Sequence, residues 1–228
     1  AGEYGVHRSR LLIDYKNDEA KRQNVIQFVR ATQEIMEKEG IKKVSIRKIA
    51  AVSGFHNSTI YLYFKDLDEL VMLSSIRHFQ KYSSDLEKLS NRHVDAYENF
   101  FAIWEYFADS AFQYSCVFYN FFFGKYSDDL TVFLNRYYDL FPEEKSALSE
   151  EIEAMYLGRN YQERCMKILA PLIGDPRTRV TKENAEIVND ISVCFCMDLL
   201  NKKCANPEMD NEVLKKHMMD MLRFIIEK

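Results

Sequence analysis

Seven glycines and four prolines in 228 residues leave this chain few ways to turn. A turn-dense β sandwich, a collagen-like repeat or a Gly-rich linker cannot be written with so few. Long helices joined by short loops can. Apolar residues make up 47% of the chain, enough for a packed core, and the 29% that are charged carry both signs rather than the one-signed excess of a disordered chain. The sequence therefore reads as all-α, in one large domain or two small ones.

The longest uncharged run, Ser110 to Gly124, is interrupted by Gln113, Tyr114, Ser115 and Asn120, and is too short to span a bilayer. The first residues, AGEYGVHRSR, hold no hydrophobic signal core. Both point to a cytoplasmic protein with no membrane partner. The cysteines, at 116, 165, 194, 196 and 204, are odd in number and lack CxxC spacing, so they are expected to be free thiols in a reducing compartment. No GxSxG, HExxH, P-loop or GxGxxG is present, and His7, His56, His78, His93 and His217 are scattered. No catalytic residue, metal or cofactor is expected.

Charge divides the chain. Residues 1–65 hold 12 basic and 7 acidic side chains, and the remainder holds 19 and 28, a contrast of +5 against −9. A basic N-terminal block on an acidic chain suits a segment that faces a polyanion.

Helical periodicity runs almost throughout. Val25, Phe28, Val29, Thr32, Ile35 and Met36 share one face of a first helix from about Asp18, which Gly40 ends. Ser45 caps a short second helix that buries Ile46, Ile49 and Ala50 and breaks at Ser53-Gly54. A third, from His56 or Asn57 to Phe64, buries Ile60 and Phe64, with Phe55 as a staple. Asp66-x-x-Glu69 has the form of a capping box for a long fourth helix to about Leu89. Further helices are expected at about 94–123, 128–140, 146–173, 182–204 and 208–227, and no convincing strand is found.

Two short helices around a Gly-containing turn, preceded by a longer one, have the layout of a helix-turn-helix. With Ile60 and Phe64 committed to the core, Asn57, Ser58, Thr59, Tyr61, Leu62 and Tyr63 are left for the outer face. Small polar groups and backbone N–H groups at a helix start donate to phosphates or base edges, and Leu62 can meet a thymine methyl.

Gly40, Ser45, Ile46, Ile49, Ala50, Gly54, Thr59, Ile60, Tyr61, Tyr63, Phe64 and Leu70 agree in spacing and identity with the TetR family of transcriptional regulators, which this block of about 50 residues resembles. The resemblance implies an N-terminal three-helix helix-turn-helix DNA-binding domain and a larger C-terminal helical ligand-binding and dimerisation domain. Residues 1–17 would be a flexible tail, with Arg8 and Arg10 a possible minor-groove arm. The DNA-binding domain would cover 18–66, reaching to about 82 with the start of helix four, and the second domain 67–228. The implied DNA contacts are Ser45, Arg47, Lys48, His56, Asn57, Ser58, Thr59, Tyr61, Leu62, Tyr63 and Lys65. His56, Ser58 and Leu67 stand where the family often has Ser, Gly and Lys; without that Lys an expected phosphate contact is lost.

Eighteen of the 31 aromatic residues lie between Tyr97 and Phe141. A helix apolar nearly all round is buried on several sides. Either the rings pack as an ordinary core, or Trp104, Phe107, Tyr114, Phe118, Tyr119 and Phe122 line a ligand chamber. Such walls suit a bulky apolar, flat or cationic effector, a cation being supported by Glu105 and Asp109. Two stripes, Leu148, Ile152, Met155, Gln162, Met166 and Leu169, then Val188, Ile191, Phe195 and Leu199, are candidates for a homodimeric four-helix interface of the kind the resemblance implies. A twofold dimer places two recognition helices roughly 34 Å apart on a palindromic site of double-stranded DNA.

The expected function is a ligand-responsive repressor, released from its operator by a small apolar or aromatic effector of unknown identity. Two alternatives stand beside it: a DNA-bound adaptor without an effector, and a regulator that has lost DNA binding.

Overall fold

The computed structural model describes residues 18–90, 95–145 and 160–228. Among them the backbone is helical almost throughout and contains no strand; Thr178 and Glu227 form an isolated antiparallel bridge. The chain divides into two compact units, Ala1–Ser74 and Ser75–Lys228. The N-terminal tail with Arg8 and Arg10, and Leu148, Ile152 and Met155, lie outside the described residues.

In the first unit, α1 (Glu19–Glu39) starts where the Asp18 carboxylate accepts the Lys21 N–H at 3.1 Å. It buries Val25, Phe28, Val29, Thr32, Ile35 and Met36 and ends at Gly40, whose φ of +86° an L side chain rarely adopts. Ser45 Oγ accepts the Lys48 N–H at the head of α2 (Ile46–Ser53), which buries Ile49 and Ala50 and leaves Ile46 half-buried. The expected third helix is instead a 3₁₀ segment, Asn57–Leu62. Asn57, Ser58 and Thr59 are weak α-formers whose side chains compete for backbone groups. The anchors are kept all the same: Ile60 is 0% and Phe64 2% exposed. Phe28 of α1 gathers Phe55, Tyr63 and Phe64 around it, at ring separations of 4.7, 5.8 and 6.3 Å.

Helix α3 (Leu67–Ser90) carries residues of both units. Its start is the capping box read from the sequence. Asp66 Oδ1 accepts the Glu69 N–H at 2.9 Å, and the buried Glu69 carboxylate accepts the Lys65 N–H at 2.5 Å.

The second unit contains α4 (Ala96–Gln113), α5 (Ser115–Phe123), α6 (Leu130–Leu140), α7 (Tyr161–Leu169), α8 (Ala185–Ala205) and α9 (Asn211–Ile226). Helix α8 packs on α5 and α7, and α9 on α4 and α8. One expected helix is broken. The 94–123 stretch stops at Tyr114 (φ −123°, ψ 46°), whose carbonyl accepts the Val117 and Phe118 N–H groups of a new helix. The break lets an apolar run bury two different faces, Phe107, Ala108, Ala111 and Phe112 before it and Val117, Phe118, Phe121 and Phe122 after it. Of the 146–173 stretch the described part begins at Asn160, whose side-chain Oδ1 caps α7 by accepting the Glu163 N–H at 3.0 Å.

The cysteine expectation needs correction. Cys165, Cys194 and Cys196 are free thiols, but Cys116 and Cys204 form a disulfide across Cα atoms 5.0 Å apart. The first turn of α5 lies against the last turn of α8, a meeting of positions 88 residues apart that sequence spacing does not show.

Arg177 ties its own loop to the head of α4. Its guanidinium donates to Asp95 (2.5 and 2.8 Å) and Asp175 (2.6 and 2.9 Å) and lies 4.4 Å from the Tyr97 ring centre. The side-chain hydrogen bonds from Arg177 pull the Asp175 carboxyl down to about 2 and lower that of Asp95. A carboxyl depressed in the folded state adds stability above its unfolded value and loses it as pH falls through the folded one. The thermal midpoint of the wild type is therefore expected to fall more steeply than that of Arg177→Met between about pH 4 and pH 2, as followed by circular dichroism.

Candidate functional site

The 3₁₀ segment turns Ile60 inward and leaves Tyr61 58% and Leu62 62% exposed. Arg47, His56, Asn57, Ser58 and Lys65 are exposed, and Ser45, Lys48, Thr59 and Tyr63 are half-buried. None of the residues read as DNA contacts is buried in the first unit. Several have structural work as well. His56 Nδ1 lies 2.9 Å from Ser58 Oγ and accepts the Ser58 N–H. Lys48 pairs with Glu39 across the top of α2. The Tyr63 hydroxyl accepts from Asn24 Nδ2 at 2.8 Å, which fixes the segment against α1. Asn24 was not singled out in the sequence; nothing in its own neighbourhood marks it.

The second unit holds a cavity of about 30 Å³. Phe79 and Tyr82 of α3 form part of its wall, with Ile103, Trp104 and Phe107 of α4 and Phe122 of α5. Tyr161, Arg164, Cys165 and Ile168 of α7 close it. Of the aromatics read as a chamber, Trp104, Phe107 and Phe122 line it. Phe118 is buried one ring away, 5.8 Å from Phe107, Tyr119 is half-buried outside the lining, and Tyr114 is 45% exposed. Glu105 is exposed and Asp109 pairs with Lys215, so neither carboxylate lines the cavity to support a cation.

Burial raises the hydroxyl pKa values of Tyr82 and Tyr161 and that of the Cys165 thiol, and pushes the Cys196 thiol up to about 12. All four groups are neutral near pH 7. Arg164, 4% exposed, is the one charged residue in the described lining. Its guanidinium carbon lies 5.6 Å from the Phe79 ring centre and 5.9 Å from that of Phe122. The sequence contained a signal for this wall: Tyr161, Arg164, Cys165 and Ile168 are spaced three and four apart, on one helix face.

The stripes proposed for dimerisation are split by the structure. Leu169, Val188 and Leu199 are buried within the protomer, Gln162 is exposed and donates to Asp190, Met166 and Phe195 are half-buried, and Ile191 is 43% exposed. The outward apolar residues of the last two helices are Ile187, Ile191, Met197, Val213 and Phe224, at 61, 43, 37, 66 and 76% exposure. Helix α8 is apolar on both its inner and its outer side.

Among the described residues no group of His, Cys, Asp or Glu is arranged to hold a metal, and no helix is long and apolar enough to cross a membrane.

Comparison with known proteins agrees with this arrangement. Over 87 residues the chain is 32% identical to an HTH-type transcriptional regulator of Haemophilus influenzae, a match covering 38% of this chain and 46% of that protein. The match thus spans less than half the length of this curated relative. Solved structures share the fold at low identity. RolR in complex with resorcinol superposes with a TM-score of 0.57 at 14% identity, covering 89% of each chain. Thermus thermophilus FadR, a TetR-family repressor in complex with lauroyl-CoA, gives 0.54 at 12% identity, covering 87% of this chain and 92% of that one. Residues 28–72, from the Phe28 hub through the Gly54 turn to Met72, match the family of bacterial regulatory proteins, tetR family.

Proposed function

We propose that the protein is a homodimeric, ligand-responsive transcriptional repressor that leaves a palindromic operator when a small effector enters the second unit. One observation carries the DNA-binding part. Ile60 and Phe64 are fully buried while their neighbours Tyr61 and Leu62 stand open, so the segment is anchored on one side and free on the other. Duplex DNA selected from genomic fragments, bound across a salt series, tests it: log K falls linearly with log salt if phosphates are contacted.

Dimerisation places two such segments on one duplex. The outward apolar residues of α8 and α9 form the surface for it, and Phe195 and His217 meet between the two helices at 5.2 Å. Phe224→Asp puts a charge on that surface. It is expected to weaken the dimer by more than about 2 kcal/mol, or roughly 30-fold in Kd, in sedimentation equilibrium. An unchanged dimer would place the interface elsewhere.

The switch follows from cavity size. A cavity of about 150 Å³ holds benzene, and this one has about 30 Å³. An effector must displace its walls, and two of those, Phe79 and Tyr82, belong to α3, the helix that also carries Leu67–Ser74 of the first unit. The ligand shifts the dimer between two shapes by no more than its difference in affinity for them. The same small volume favours a second reading, a DNA-bound adaptor with no effector. Native mass spectrometry of the purified protein separates the two readings: a co-purifying small molecule that lowers DNA affinity supports the switch.

A further inference from the structure

Trp104 is 2% exposed and lines the cavity of the second unit, yet its indole N–H has no acceptor. An indole nitrogen only donates, and a buried one usually finds a partner. A core built only for packing would place a phenyl ring at position 104, which fills similar space and has no donor to leave idle. The rest of the wall is largely rings: six of the ten described lining residues are aromatic, and none is a carboxylate. Burial keeps the Tyr82 and Tyr161 hydroxyls and the Cys165 thiol neutral. Arg164, the one charged residue of that lining, already has a partner of its own. A ligand that brought in a second charge would therefore be buried at a cost.

We propose that this cavity takes a compact, neutral aromatic molecule with a carbonyl oxygen, to which the Trp104 N–H donates while the surrounding rings cover its body. This rests on the reading of the second unit as the effector domain and names the chemical class of effector. A plain hydrocarbon leaves the indole N–H idle, and a cation meets no carboxylate in the described wall.

Trp104 is the chain's single tryptophan, so one indole N–H cross-peak in a nitrogen–proton NMR spectrum reports the site directly. Acetophenone and α-methylstyrene serve as probes of one shape, the carbonyl oxygen of the first being a methylene in the second. Titrated into the full-length protein, acetophenone is expected to move the indole proton downfield of its position with α-methylstyrene. Trp104→Phe keeps a ring and loses the donor. Followed by calorimetry, the ratio of acetophenone to α-methylstyrene affinity is expected to fall about three- to tenfold in that variant, the worth of one hydrogen bond. Taking the ratio within each protein cancels the greater apolarity of α-methylstyrene and any loosening of the core by the substitution. Benzoate, which adds a charge to the same ring, is expected to bind at least about tenfold more weakly than acetophenone.

The proposal is overturned if the affinity ratio is the same in the two proteins, or if the indole proton sits alike with both probes. It is also overturned if benzoate binds as tightly as acetophenone, or if acetophenone fails to bind at millimolar concentration. Duplex affinity measured in the same samples separates the two layers. Trp104-dependent acetophenone binding that leaves DNA affinity unchanged supports the carbonyl site and contradicts the switch.

Discussion

Phe64→Ala is expected to destabilise the first unit by about 3–5 kcal/mol and to abolish DNA binding with it. Phe64 is 2% exposed and stacks edge-on against Phe28, so its removal leaves a hole at the point where the 3₁₀ segment is fastened to α1. The loss is local: amide exchange should accelerate in residues 18–74 while the helices of the second unit keep their protection. The contrasting variant is Leu62→Ala. That side chain is 62% exposed, so its removal should change stability by no more than about 0.5 kcal/mol. It should nonetheless weaken operator binding by roughly 1 kcal/mol or more if it meets a base edge. A variant pair that behaved alike in both assays would mean the segment is not divided into an anchored side and a free one.

Reduction of the Cys116–Cys204 disulfide is the second large effect. The bond closes a loop of 88 residues between α5 and α8. In the chain-entropy account, a crosslink over a loop of that length lowers the unfolded chain's freedom by about 4–5 kcal/mol at 25 °C. Urea unfolding of the oxidised protein and of the double variant Cys116→Ser/Cys204→Ser should differ by an amount of that order. The thiol-alkylated mass should show two fewer reactive cysteines in the oxidised form. Cys165 and Cys196 are buried, and Cys194 is exposed, so the variants leave a single readily labelled thiol as an internal control. A cytoplasm keeps most thiols reduced; purification with and without reductant shows which form the protein takes.

Local chemistry was the most legible part of the sequence. Gly40, Ser45, Gly54 and the Asp66–Glu69 box each act through neighbours three or four residues away, and each does in the structure what its residue type and spacing imply. The anchors Ile60 and Phe64 were legible for the same reason, although the segment between them is 3₁₀ rather than α. Features set by tertiary contact were not. Tyr114 breaks a run that reads as one apolar helix, and the two helices it separates bury different faces. The meeting of Cys116 with Cys204 depends on the packing of α5 on α8. Aromatic density located the cavity in the chain without selecting its walls: Trp104, Phe107 and Phe122 face it, but Phe79, Tyr82 and Tyr161 come from helices outside the rich stretch. The buried Arg164 escaped notice because an isolated basic residue on an amphipathic helix reads as solvated.

The most direct test of the central claim is equilibrium binding of the intact protein to selected duplex DNA from low to physiological salt, wild type beside Tyr61→Ala. Tight binding at low salt is expected, falling linearly on a log–log plot, with the variant weaker at every salt concentration but still folded. Indifference to duplex DNA at low ionic strength, or equal binding by the two proteins, would contradict it.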